Sequence, residues 1–392
     1  MCNYVNRRYS LKIFIIGSIA SMMINFRREL ILELVSQNHE VYCLTSDYDE
    51  KSKEIVRSFG AIPIDYDLNA KGLNPLKDIK ATINLIKLLK HHKPDIVFSF
   101  FVKPVIFGTI AAKIAGVKRK VGMIEGLGNA FTPLLNERQK IKTNLIKSVQ
   151  ILLYKFSLPL LDRLILLNND DKVDLIDRYK ISLKSLEILG PIGVDLTKFS
   201  HQRPLLEPVS FIFIARLLAQ KGIFEYINAA KIIKERYPNI KFYVYGDADE
   251  NNPFSIKKDE LEEYIKNDII IYRGGVNDIE EKIKNTSVFV LPSYYREGFP
   301  RSTQEAMAIG RAVITTNVPG CKDSIKDGVN GFLIPPFDVK ILADKMEIFI
   351  KNPDLIEKMG KESRAIAENN FDVFKINKRL ITLILENSYT PF

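Results

Sequence analysis

Short apolar runs recur along the first half of the chain, separated by longer amphipathic stretches. Lys12–Ile16, Val41–Leu44, Ile62–Ile64, Ile96–Ser99 and Val121–Ile124 read as buried strands. Phe26–Ser36, Lys51–Phe59, Leu76–His91 and Pro104–Ala115 carry apolar residues at helical spacing. Val149–Leu167 reads as a helix ending near Leu161 and a buried strand over Arg163–Leu167. Strands separated by helices of this length imply βαβ units, a parallel sheet and right-handed crossovers. The alternation breaks at Gly190–Gly193, and Thr197–Pro208, with Pro204 and Pro208, reads as a linker. It then restarts, with strands expected at Ser210–Ala215, Lys241–Tyr245, Ile269–Tyr272, Val288–Leu291 and Ala312–Thr315. The chain therefore reads as α/β, with two Rossmann-like domains over residues 1–195 and 196–370 facing a central cleft. Ligands of open α/β sheets bind at the strand carboxyl ends, which would line that cleft.

Composition narrows the class. The 392 residues are 46% hydrophobic and 27% charged, which excludes a disordered or collagen-like chain. The net charge of +10 favours anionic partners: phosphate-bearing substrates, nucleic acid or an acidic membrane face. Solvated lysine accounts for the same surplus. Cys2, Cys43 and Cys321 lie far apart with no CxxC, so neither a disulfide framework nor a zinc site is expected, and a reducing cytoplasm is the natural compartment. Residues 1–26 imitate a signal peptide but read better as a strand, a glycine turn and a helix start. Lys155, Pro159, Asp162 and Arg163 interrupt the apolar stretch at Val149–Leu167, so it is not expected to span a bilayer.

Four segments carry candidate chemistry. After the strand Val288–Leu291 comes a loop with Glu297, Gly298, Phe299 and Pro300, then Glu305 eight residues beyond Glu297. Carboxylates accept hydrogen bonds from sugar hydroxyls, glycine lets backbone approach a ligand, and a helix N-terminus suits an anion. Glu305 also fits a capping box with Ser302 as N-cap. After the strand Ser210–Ala215, Arg216 and Lys221 sit where a Rossmann unit holds phosphates; a solvated loop reads the same way. Gly17 forms the turn after the first strand, which lacks a GxGxxG fingerprint. Glu125 ends the strand Val121–Ile124 and is followed by Gly126 and Gly128, so its carboxylate is expected in the cleft or as a polar loop residue. The Asp-x-Asp triplets at Asp47, Asp65 and Asp247 share no context and carry no metal reading. His91 and His92 end a lysine-rich helix and fit no zinc pattern.

These residues together resemble the retaining glycosyltransferases of family 4, which have the two-Rossmann GT-B fold. The E-x7-E pair within Arg296–Gly310, the Arg216…Lys221 loop, Gly193-Val-Asp195…Phe199 and Gly320–Pro335 carry the resemblance, with Asp323 where the family usually has Glu. Within Gly122–Thr132 and Asn168–Asp171 the chain is most similar to bacterial capsule, O-antigen and lipid-linked oligosaccharide transferases. The resemblance implies that Arg216 and Lys221 hold the donor diphosphate. It places Glu297 on the donor sugar with Gly298, Phe299 and Pro300 assisting, Glu305 on the ribose, Gly275 and Val276 beside the base, and Gly17 beneath the phosphates and acceptor. Some members carry a histidine in the acceptor-side loop where this chain offers Glu125. It further implies that a C-terminal segment, 371–392, crosses back to the first domain as a helix over Val373–Glu386.

The expected activity is transfer of a sugar, with retention, from a nucleotide sugar to a lipid-linked polyprenyl-diphosphate glycan. The nucleotide sugar would be a UDP-hexose or UDP-N-acetylhexosamine, and the reaction would need no metal or other cofactor. The expected location is cytoplasmic, peripheral at the inner face of the plasma membrane. Basic, apolar-interleaved stretches at Lys71–Lys93 and Arg138–Lys147 would face anionic lipid. The alternatives are a sugar-nucleotide epimerase or glycan phosphorylase on the same fold, or a basic nucleic-acid-binding module. No helix-turn-helix, zinc finger or aromatic-interleaved basic strand supports the last, and no nucleic-acid partner is expected.

Overall fold

Apolar runs without polar alternation have two faces to bury, and the chain buries them in two parallel sheets. The computed structural model describes residues 10–68, 74–133, 137–249, 252 and 254–386. Contacts divide the chain into one unit of Met1–Ala130, Asn136–Gly190 and Phe374–Phe392, and a second of Phe131–Leu135 and Pro191–Val373.

The first unit holds β1 (Lys12–Ile16), β2 (Glu40–Thr45), β3 (Ile62–Asp65), β4 (Ile96–Phe100), β5 (Arg119–Ile124), β6 (Arg163–Leu166) and β7 (Leu186–Ile188). Their spatial order is β3-β2-β1-β4-β5-β6-β7, every pair parallel. Its helices are α1 (Ala20–Ser36), α2 (Glu50–Ser58), α3 (Pro75–His92), α4 (Thr109–Ile114), α5 (Glu137–Ser157) and α6 (Asn169–Asp171). The second unit holds β8 (Ser210–Ile214), β9 (Lys241–Tyr245), β10 (Ile271–Tyr272), β11 (Val288–Leu291), β12 (Ala312–Thr316) and β13 (Gly331–Ile334), in the order β10-β9-β8-β11-β12-β13. Around them lie α7 (Ile223–Arg236), α8 (Lys258–Lys266), α9 (Ile279–Lys284), α10 (Arg301–Ile309), α11 (Val339–Lys351) and α12 (Asp354–Asn370). The last helix, α13 (Val373–Leu385), belongs to the first unit from Phe374 onward. There the buried Arg119 and Arg163 donate to its last carbonyls, those of Leu383 and Ile384, which no helical N–H can satisfy.

Both sheets follow the 3-2-1-4-5-6 order of a dinucleotide-type fold, so each reverses direction once, between β1 and β4 and between β8 and β11. Ile13–Ile16 and Val288–Leu291 are buried along their whole length. Each such side chain contributes about 1.5–3 kcal/mol on leaving water.

Several elements differ from their sequence reading. α1 starts at Ala20 rather than Phe26, because Asp47 at the end of β2 accepts the Ala20 N–H at 2.6 Å and caps the extra turns. Asp49 caps α2 in a reciprocal box with Ser52, so the first Asp-x-Asp triplet serves two helix N-termini. Pro104–Ala115 opens as a π-turn over Pro104–Gly108 before α4. β10 starts at Ile271, after a left-handed turn at Asp268. Two short strands, β7 and β13, lie outside the sequence expectation.

Candidate active site

The loops leaving β8 and β11 meet at the second unit's switch point. The backbone carbonyl of Gln220 accepts the N–H groups of Tyr294 and Tyr295 and the hydroxyl of Ser293. Gly222 follows with φ +83, and a Cβ there would stand 2.2 Å from the Pro292 carbonyl oxygen, so only glycine allows this approach. The stitching brings Lys221 Nζ onto Glu297 Oε1, with both side chains mostly buried. Ser293 donates to the same Oε1 at 3.2 Å, and the ammonium lies 4.9 Å from the Tyr295 ring centroid. Gly320, with φ +82, packs on the Glu297 backbone, where a Cβ would meet the carbonyl oxygen at 2.4 Å. Asp323, at the position where Glu is usual, accepts the Gly320 N–H at 3.0 Å and holds that turn. Arg216 leaves the same loop as Lys221 with its side chain exposed.

Pro300 precedes α10, and Gly298 and Pro300 are buried while Phe299 packs edge-on against Phe371. The expected capping box does not form. α10 begins at Arg301, which puts Ser302 inside the helix, and Glu305 pairs one turn back with Arg301 at 2.9 Å. Burial pushes the Glu305 carboxyl above its ordinary range, and Arg301 only partly offsets this. Gln304 accepts the Gly193 N–H at 2.9 Å, tying the segment that leads into this unit to α10. Gly275 donates its N–H to Asp247 at 3.0 Å, a contact that a Cβ would crowd, and Val276 packs on the core.

The first unit's switch point is built differently. A Cβ on Gly17 would lie 2.5 Å from Phe100, so the β1 turn closes over that ring. The Arg27 guanidinium lies over the same ring, 4.5 Å from the Phe100 centroid, and donates to Glu125 Oε1. Arg27 and Glu125 are almost wholly buried. Phe101 follows β4 with φ +69, a conformation rarely held by a bulky residue.

Sequence reasoning names Lys221, Glu297, Arg216, Glu305, Gly275, Val276, Gly17 and Glu125. The structure joins Lys221 with Glu297, places Glu305 in α10 after the same strand as Glu297, and puts Gly275 and Gly17 after β10 and β1, each within its own unit. It adds Ser293, Asp247, Arg301, Arg27 and Phe100. Arg27 is legible only as one of two adjacent arginines at a helix start, and nothing in the spacing separates a buried guanidinium from a solvated one. Among the described residues no group of three or more His, Cys, Asp or Glu could hold a metal ion, and no helix is long and apolar enough to cross a membrane.

Residues 12–158 match the family model Glycosyl transferase 4-like, and residues 197–366 match Glycosyl transferases group 1. The chain is 31% identical over 318 residues to an Escherichia coli UDP-Gal:alpha-D-GlcNAc-diphosphoundecaprenol alpha-1,3-galactosyltransferase, covering 78% of this chain and 79% of that one. It is 28% identical over 353 residues to the Campylobacter jejuni N,N'-diacetylbacillosaminyl-diphospho-undecaprenol alpha-1,3-N-acetylgalactosaminyltransferase, covering 86% and 89%. The crystal structure of Anabaena HepE with UDP-glucose superimposes with a TM-score of 0.75 at 18% identity, over 95% of this chain and 99% of that one.

Proposed function

The chain belongs to glycosyltransferase family 4, and from that premise we propose that it moves a hexose or N-acetylhexosamine from a UDP-sugar to a polyprenyl-diphosphate-linked glycan at the inner membrane face. The observation that carries this reading is the Lys221–Glu297 pair at the β8/β11 switch point.

An ammonium has three donors, so Lys221 can keep Glu297 and still meet a diphosphate. Arg216, exposed on the same loop, supplies the second cation and a forked set of donors. Charge develops on the diphosphate as the glycosidic bond breaks, and cations already in place lower that barrier. Lys221 and Ser293 both address Glu297 Oε1, which fixes the carboxylate and presents Oε2 to a sugar hydroxyl. Glu305 takes the ribose hydroxyls, whose donated bonds relieve a carboxylate held at a desolvation cost. The backbone of Gly298–Pro300 lies against the sugar, and Gly275 and Val276 flank the base.

The acceptor then attacks from the side the diphosphate leaves, the configuration is retained, and a departing phosphate oxygen takes the acceptor proton. Glu125 already accepts from the buried Arg27 guanidinium, so no proton-transfer role falls to it. It shapes the acceptor side together with Gly17 instead. The reaction needs no metal on this reading. Mass spectrometry of lipid-linked glycan after incubation with a panel of UDP- and GDP-sugars tests it. A single added hexose or N-acetylhexosamine is expected from one UDP-sugar. No added sugar from any donor, or free-sugar epimers alone, overturns it.

A further inference from the structure

Helix α5 buries one face, around Tyr154, and leaves the opposite face apolar and exposed. Ile141, Leu145, Leu152 and Phe156 fall within a stripe about 80° wide at helical spacing. Ile141 is 73% and Phe156 66% exposed. Helix α3 repeats the pattern near its start, where Leu76, Ile79 and Ile83 are exposed and Leu76 reaches 81%. Right-handed crossovers put both helices on the same face of the first sheet, and both pack on the π-turn Pro104–Gly108 between them. Each follows a strand, β3 or β5, so both stripes begin at the sheet's carboxyl edge.

Cations predominate around these stripes, although the exposed Asp67 accepts from Asn84 of α3. No acidic residue occurs between Glu137 and Asp162, while Arg138, Lys140, Lys142, Lys147 and Lys155 do. The side chains of Arg138, Lys140 and Lys142 lie outside the described residues; Lys155 is exposed. On α3 the one carboxylate, Asp78, is buried against Lys103, while Lys77, Lys80, Lys87 and Lys90 are exposed. The second unit's helices are finished the ordinary way, with ion pairs Lys351–Glu347, Lys361–Glu357 and Arg364–Glu368 on their exposed faces. A solvated helix face has no use for large apolar side chains in a row, whereas an anionic leaflet takes such a row into its acyl boundary and complements the flanking cations with its headgroups.

We propose that the α3–α5 face of the first unit is a lipid-inserting surface, its apolar stripes entering the acyl boundary of an anionic leaflet and its lysines meeting the headgroups. This rests on the reading of a membrane-borne acceptor and names the face that meets the membrane.

Liposome flotation with phosphatidylglycerol vesicles tests it. The full chain should float at low salt. Changing Leu145, Leu152 and Phe156 to Gln should cut binding by roughly tenfold or more, because insertion scales with apolar area. Changing Lys80, Lys87 and Lys155 to Gln should weaken binding mainly at low salt. The chain has no tryptophan, so Leu152→Trp gives a single reporter. Its emission should shift to the blue on vesicles and be quenched by brominated acyl chains, whereas Ser58→Trp, on exposed α2, should do neither. Wild-type protein that ignores the vesicles overturns the proposal. So does a Leu145/Leu152/Phe156 variant that binds like wild type, or a dimer that this variant dissolves. Transfer to a short-chain, water-soluble acceptor should survive in the variant. Loss of that transfer in wild type as well would strike the transferase reading and leave the lipid surface standing.

Discussion

Lys221 reaches Glu297 from a short turn after β8, with side chains 14% and 11% exposed. Arg27 reaches Glu125 from inside the 17-residue α1, with side chains 2% and 6% exposed and the guanidinium stacked on Phe100. Both pairs stand at the carboxyl end of a parallel sheet beside its switch point, and both join a cation to a carboxylate. The first is carried on loops and open to a ligand, so a diphosphate can share the ammonium. The second is locked between helix and ring and cannot turn without unpacking the unit. On the proposed reading, the same charge pairing serves binding where it is reachable and shape where it is sealed.

The largest expected effect comes from breaking the reachable pair. Lys221→Ala and Glu297→Gln should each lower turnover by roughly 10²–10³-fold, the loss typical of one preorganised electrostatic contact. Melting temperature should fall too, because the partner left behind is mostly buried, but by less than in the sealed pair, since 14% and 11% exposure leaves the remaining charge some access to water. Steady-state kinetics beside a thermal melt reads both. A variant that unfolds but keeps its specific activity would erase the distinction between the pairs.

Breaking the sealed pair should do the reverse. Arg27→Met takes the guanidinium from a Glu125 side chain that is 6% exposed and should cost about 3–5 kcal/mol of stability, read by denaturant titration. Arg27→Met with Glu125→Gln should recover most of it, because no buried charge is then left. If the single variant is as stable as wild type, the pair is no structural clamp.

This contrast marks how far the sequence can be read. The strands are legible because a doubly buried strand must be apolar throughout, and the switch points follow from strand order. Lys221 and Glu297 are picked out by their place in loops after β8 and β11 together with the E-x7-E resemblance, because spacing alone does not separate them from solvated loop charges. Arg27 is not, because burial of an arginine depends on what folds over it, here Phe100 and β5. The start of α1 escapes the sequence pattern for a similar reason: its cap, Asp47, comes from a different strand's end. Glu305 fits a local capping motif, and the helix frame, two residues out of step with that motif, decides otherwise.

Glu305 sharpens the comparison from the ligand side, with a smaller effect. Its folded-state carboxyl is raised by burial, so the folded chain binds more protons than the unfolded chain once pH passes the ordinary glutamate range. Stability from this group is therefore present below about pH 4 and is lost as pH rises through the folded value. Each tenfold gain in proton affinity on folding corresponds to about 1.4 kcal/mol. Glu305→Gln removes that dependence and should melt higher than wild type at neutral pH, with the gap closing toward pH 4. Saturating UDP should stabilise wild type more than the variant. Equal UDP stabilisation of both would remove Glu305 from the nucleotide site.

The smallest expected effect is none at all, on chelation. A donor diphosphate needs positive charge that stays in place while the sugar leaves. Lys221 is held by Glu297 and Tyr295 at the switch point, Arg216 stands on the same loop, and the α10 N-terminus lies beyond Pro300. On the proposed reading, two cations and a helix end would supply what a divalent ion supplies elsewhere. Of the acidic pair best placed to compete, Asp247 and Asp249, Asp247 already accepts the Gly275 N–H through Oδ1. Turnover measured in excess EDTA should equal turnover in magnesium. If EDTA abolishes turnover and Mn²⁺ restores it, the cations of the β8 loop are insufficient alone, and Asp247 and Asp249 become the first residues to change. Retained turnover in EDTA combined with its loss in Lys221→Ala would fix the charge on the protein itself.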